Sequence, residues 1–175
     1  MMKRYNLPKW ILYTVLIIAL CILQLQISVY PRLFNVTPLF LIPAVIALSM
    51  VENETVGGIY GVVAGLLWDT GTGHCFGFNG LNLMIIGLAC GLIVRFVLKK
   101  SALNAVIMTA VFTFLHECVT WFFFSYLSGR NELGKSFLGI ILPTTLMTVI
   151  FAFFIYILFN FVSKKLSKED TKLSV

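Results

Sequence analysis

The residues able to do chemistry in this chain are few. Asp69, His116 and Glu117 are ionisable side chains set inside or at the ends of apolar stretches, and a glycine-rich run, Thr70-Gly-Thr-Gly-His-Cys-Phe-Gly-Phe-Asn-Gly80, follows the first of them directly. A zinc hydrolase would need His-Glu-x-x-His on one helix face, but the run here is His116-Glu-Cys-Val-Thr120, without the second His. An intramembrane aspartyl protease would need two membrane aspartates and a Gly-x-Gly-Asp element, whereas Gly71-Thr-Gly-His74 ends in His and Asp170 lies in the tail. A dinucleotide loop places a third glycine three residues beyond Gly-x-Gly, and Phe76 stands there. No Cys-x-x-Cys occurs: Cys21, Cys90 and Cys118 lie within apolar stretches and Cys75 in the glycine-rich run. Neither a zinc site, a redox pair nor a disulfide framework is indicated. The expectation is a protein that is not an enzyme and carries no metal or cofactor.

A structural role is then the reading for these polar groups. Asp69 is 15 residues beyond Glu54, about 22 Å of helical rise, short of the roughly 30 Å hydrocarbon core of a bilayer. The glycine-rich backbone after it is not expected to be helical, and such backbone survives at membrane depth only where protein or a water-filled cavity covers it. Asp69 is therefore either a buried tie, accepting backbone hydrogen bonds from this loop, or an interfacial carboxylate in contact with water. Gly77 and Asn79 are the candidate loop positions. Glu117 lies 17 residues beyond Lys100, about 25 Å, on the same side of the membrane. Ionisable groups at that depth usually face the bundle interior or a cavity, so Asp69, His116 and Glu117 could share one polar cluster.

The elements that must position these residues follow from composition. Of 175 residues 59% are apolar and only 11% are charged, against roughly 45–50% and 25% in soluble domains. So few charges cannot cover the surface of a water-soluble globule of this length, and the apolar excess must face lipid. Most charges lie in the two tails, within residues 1–9 and 164–175, or punctuate apolar runs. Read as loop markers, they give an all-α integral membrane protein of one domain with six spans: Trp10 to Tyr30, Leu33 to Val51, Thr55 to Trp68, Gly80 to Leu98, Ala102 to Leu127 and Ser136 to Val162. Residues 1–9 and 163–175 are then basic tails flanking a transmembrane domain over 10–162.

Cytoplasmic loops keep an excess of Lys and Arg. With both termini inside, ten of the 13 basic residues fall on the inner side, and Arg32, Arg130 and Lys135 remain outside. The net charge of +6 thus reads as a topology signal against an anionic inner leaflet, not as nucleic-acid binding. Trp10 and Tyr30 bracket the first span as interfacial anchors. That span is too long for a cleavable signal and ends at Tyr-Pro-Arg without a small-x-small site.

Gly57, Gly61 and Gly65 recur every four residues along the third span, and Gly87 and Gly91 repeat the spacing in the fourth. Small-residue stripes let helix backbones approach closely in lipid, either within the bundle or against a partner helix. Pro38 opens the second span. Pro143 stands inside the long sixth span, where it is expected to make a kink by removing a backbone donor.

Thr37-Pro-Leu-Phe, then Gly61-Val-Val-Ala-Gly-Leu-Leu-Trp-Asp69, a short glycine-containing loop and Phe76-Gly-Phe-Asn-Gly80 leading into Gly87-Leu-Ala-Cys-Gly91 resemble the rod shape-determining protein MreD family. The resemblance spans essentially the whole chain, with its specific part from Pro38 through Gly91. It implies a bacterial inner-membrane scaffold of the elongation machinery that binds MreC and, through it, relates to MreB, RodA and the elongation-specific transpeptidase. It also implies a fold resembling the S-components of energy-coupling-factor vitamin transporters. That likeness supplies a rival function, a small-molecule site lined by Asp69, His116, Glu117 and the loop of Arg32 and Asn35. The docking signature of such components, Ala-x-x-x-Ala in the first helix, is missing: Ala19 has Val15 and Leu23 at those positions.

Overall fold

A computed structural model describes residues 7–29, 37–72, 75–126, 139 and 141–172. Six α-helices follow one another: α1 (Leu7–Val29), α2 (Leu41–Val51), α3 (Glu54–Thr72), α4 (Phe78–Phe96), α5 (Ala102–Trp121) and α6 (Leu142–Lys172), with a π-helical turn over Phe122–Tyr126 extending α5. Among the described residues there is no strand. Burial follows helical periodicity. In α1, Tyr13, Ile17, Cys21 and Gln24 face inward, while Ile11, Val15, Ile18 and Ile22 are exposed. In α6, Thr144, Thr148, Ala152, Ile155 and Phe159 are buried, and Leu146, Ile150, Phe154 and Phe161 are exposed. A bundle whose outer face is this apolar is matched to lipid as its solvent.

α2 is the centre. Every residue from Leu41 to Met50 is buried, with α3, α4, α5 and α6 packed around it and α1 touching it more lightly. The second span departs from expectation in length. Only 11 residues are helical, about 16 Å of rise, where a helix over Leu33 to Val51 is expected. Residues 30–36 lie outside the described residues, and 37–40 are not helical. Pro38 disfavours helical backbone at Thr37, and the start of α2 is set by partners far away in sequence. Leu39 donates its backbone N–H to Thr148 Oγ1 of α6 at 3.0 Å, and Leu41 donates to Gln24 Oε1 of α1 at 3.0 Å. The first amides of a helix lack intrahelical acceptors; Gln24 supplies one for Leu41, and Thr148 satisfies the Leu39 amide just before the helix, both deep within the bundle. Pro43 falls in the first turn, where its missing N–H is harmless.

Three further boundaries move. α3 runs on through Asp69 to Thr72, so the first residues of the glycine-rich run are helical. Pro143 occupies the first turn of α6, a position that suits proline, and is preceded by π-helical backbone at Gly139 and Ile141. α6 continues beyond Val162 to Lys172, 31 residues in all, so the basic tail extends the last helix. α1, α4, α5 with its π turn, and α6 are long and apolar enough to cross a membrane. α2 is too short, and α3 is diluted by glycines and by Glu54 and Asp69.

Candidate functional site

α3 and α4 form the most intimate pair in the bundle, and glycines make it so. They run antiparallel in a constant register. A Cβ on Gly65 would fall onto the backbone of Asn79 and Gly80, one on Gly61 onto the Leu83 carbonyl, one on Gly87 onto the Gly57 carbonyl, and one on Gly91 onto the Glu54 backbone. α2 joins this seam where Ser49 Oγ donates to the Gly87 carbonyl at 2.8 Å, directly over Gly57. All five stripe glycines are buried inside the chain's own fold. The close approach expected of the stripe is thus made between α3 and α4, and no free glycine face is left there for a partner.

At one end of this hairpin sits Asp69, 3% exposed. Gly77 turns the chain with φ of +94°, a left-handed conformation that favours glycine, and so aims the first amides of α4 back at α3. Asp69 Oδ2 accepts from the Gly77 N–H at 2.8 Å and the Gly80 N–H at 3.4 Å. Asp69 Oδ1 accepts from Asn79 Nδ2 at 2.8 Å and the Asn79 N–H at 3.3 Å. A carboxylate thus satisfies the orphan amides at the start of α4 from outside that helix, and its charge lies at the positive end of the helix dipole. The carboxylate is thus buried and bonded to the loop that follows it.

His116 reaches the same layer. It is 3% exposed, lies against Trp68 with ring centroids 5.3 Å apart, and has its Nδ1 buried without a hydrogen-bond partner. Glu117 is one residue, about 100°, further round α5 and makes none of the bonds at Asp69. Pro38 belongs to the non-helical segment before α2. His74, Arg32 and Asn35 lie outside the described residues. α4 and α5 barely touch, and between them a groove of about 800 Å³ opens, with Ile86 and His116 at its buried base.

The opposite end carries a second carboxylate junction, at a residue that reads in the sequence only as a loop marker. Glu52 Oε1 accepts from Lys9 Nζ at 2.7 Å, from the Tyr13 hydroxyl at 2.7 Å and from Ser163 Oγ at 3.1 Å. One oxygen therefore ties α1, the α2–α3 connection and α6 together. Burial pushes this carboxyl up, but the hydrogen bonds from Lys9 and Tyr13, the Lys9 charge and the Ser163 bond outweigh it and hold it below the usual range. Next to it, Glu54 pairs with Arg95 of α4. Its carboxyl is lowered first by a hydrogen bond to backbone at the start of α3 and then by the Arg95 guanidinium. Lys100 Nζ donates to the Val51 carbonyl at 2.9 Å, a cation at the C-terminus of α2 as the dipole favours. Trp10 is stacked on Tyr60 at 6.3 Å and packs within this end of the bundle. The available signal was two acids in the connection between the second and third spans, on a side otherwise rich in Lys and Arg.

Among the described residues, no three His, Cys, Asp or Glu side chains cluster as a metal site would. The polar groups that do meet are engaged in joining helices, and what the arrangement does chemically is hold a bundle together at both ends. No curated protein and no solved structure matches the chain. A family model described as rod shape-determining protein MreD matches residues 3–166, nearly the whole length, and the chain belongs to the MreD family.

Proposed function

We propose that the chain is a non-enzymatic scaffold of the bacterial rod complex, binding MreC in the membrane and helping to couple MreB filaments to peptidoglycan synthesis by RodA and the elongation-specific transpeptidase. The observation that carries this reading is the family match over residues 3–166, whose description places the protein in rod shape determination. The architecture is compatible with it: both carboxylate junctions are spent on tying helices, as a rigid docking body requires. In this reading all six helices lie in the inner membrane, α2 and α3 within a bundle completed by the four long ones. Both termini are cytoplasmic, on the side that gathers ten of 13 basic residues. With the glycine stripes consumed internally, MreC would dock on an outward face of the bundle.

The rival reading, a vitamin-binding transporter component, has a direct discriminant. Depletion in a rod-shaped host is expected to round the cells while uptake of vitamins stays intact, and MreC is expected to copurify with the tagged full chain. Lost uptake in cells that keep their shape would refute the scaffold and favour the transporter.

A further inference from the structure

Among the described residues, the groove between α4 and α5 is a place where two successive helices fail to close on one another. Its rim is formed by Leu81 and Ile85 of α4 and Leu115 and Phe123 around α5, each half-exposed or more. In a membrane-spanning bundle that face looks onto hydrocarbon. An apolar gap of about 800 Å³ at that depth does not stay empty, since lining atoms without neighbours forfeit their dispersion contacts, and water does not fill it, because each molecule needs about two to four polar partners and the lining is almost wholly apolar. The walls decide what fills it. Along α4 and α5 they carry Phe78, Phe112 and Phe123 with branched aliphatics, and the small residues Cys75 and Gly77 lie only in the loop at one end, so the helical walls lack the small-residue stripe that lets a second helix approach closely. A flexible chain conforms to such a surface where a helix cannot. The walls also hold a polar feature: Asn82, four residues or about 6 Å below the start of α4, has its Nδ2 buried without a partner, as does His116 at Nδ1.

We propose that this groove holds one acyl chain of a glycerophospholipid from the leaflet on the Asp69 side, with the ester carbonyl accepting from the Asn82 amide after a small rotation of that side chain. The lipid is a wedge that completes the α4–α5 seam, held more tightly than the lipid around the other faces. The proposal is independent of what partner the protein binds.

Native mass spectrometry of the full chain, delipidated in mild detergent and titrated with dioleoylphosphatidylglycerol, tests it. One lipid per chain is expected to persist at activation energies that strip the rest. Ile85→Trp and Leu115→Trp, which fill the groove from its exposed rim, are expected to weaken that binding about tenfold, equivalent to about 1.4 kcal/mol, while Ile18→Trp on the outward face of α1 leaves it unchanged. Far-UV circular dichroism and a monodisperse elution profile establish that each variant is folded, and either groove variant alone suffices. Equal retention in all variants, or equal loss, overturns the proposal. So does retention that vanishes with Arg95→Gln and Lys100→Gln but not with the groove variants, which would assign the lipid to its headgroup. A stoichiometric protein helix displaced by Ile85→Trp would give the groove to a partner and overturn it equally.

Discussion

Replacing Asp69 by Asn tests the junction that joins α3 to α4. The carboxylate has two well-formed bonds, from Gly77 N–H and Asn79 Nδ2, both at 2.8 Å, and two longer ones at 3.3 and 3.4 Å. Hydrogen bonds to a charged group contribute about 1.5–3 kcal/mol each, but the carboxylate is 3% exposed and its burial costs several kcal/mol in the other direction. Asparagine is nearly isosteric and keeps one acceptor oxygen. If that oxygen stays with Asn79, the new amide group faces the Gly77 and Gly80 N–H groups, donor against donor, and leaves buried amides unsatisfied. The expected loss is about 2–4 kcal/mol, which for a chain of this size lowers the melting temperature by about 5–15 °C. Asn79→Ala removes one donor and spares the backbone bonds, so it should cost about 1 kcal/mol, and the two substitutions should be strongly non-additive because they share one bond. Thermal unfolding of the detergent-solubilised protein, followed by size-exclusion recovery after heating, reads both. An Asp69→Asn protein that melts with the wild type would refute the tie. Unchanged melting with lost support of rod shape would make Asp69 a functional contact instead.

Two other predictions rest on the same kind of accounting. Glu52 has its folded-state carboxyl lowered, so its contribution to stability is complete above the ordinary glutamate range and is lost as the pH falls through the lowered value; acidification from about pH 5 to pH 3 should loosen the junction of α1, α2–α3 and α6. Glu52→Gln should cost about 1–3 kcal/mol at neutral pH and flatten that part of the acid dependence, and an unaltered acid profile would argue that another carboxylate governs it. Gly61→Ala should destabilise by more than about 2 kcal/mol, because its Cβ meets the Leu83 backbone carbonyl, whereas Gly71→Ala meets only the ends of the Leu25 side chain and should be much milder. Equal melting temperatures for the two would refute the backbone contact of α3 and α4.

The part of this fold that is legible in the sequence is the part governed by the solvent. Charges are too costly to leave in lipid, so they mark the ends of apolar runs, and six runs in the sequence become six helices in the same order. The glycine period and the lone Asp at the end of it are legible for a related reason. Backbone packing in lipid leans on small residues, and an acid at membrane depth beside glycine-rich backbone needs donors that such backbone supplies. Both are local signals, because Asp69 finds its partners within 11 residues and the α3–α4 register is a hairpin.

What escapes the sequence is pairing across long separations. Glu52 reads as a loop charge because Tyr13 and Ser163 are 39 and 111 residues away, and nothing in the local pattern says that a carboxylate between two spans will collect donors from the first helix and the last. The length of α2 is the sharper case. Leu33 to Val51 is apolar enough to span, and hydropathy has no term for where the backbone stops being helical within such a run. That point is set where Gln24 and Thr148 stand ready to accept the Leu41 and Leu39 amides, 17 and 109 residues away. A helix that begins inside a bundle must find acceptors for its first amides there, so a Gln in α1 and a Thr in α6, unremarkable in sequence, are what permits the central helix to be short. Hydrophobicity therefore determines which segments enter the membrane, and a few buried polar side chains determine where the helices begin and how they join.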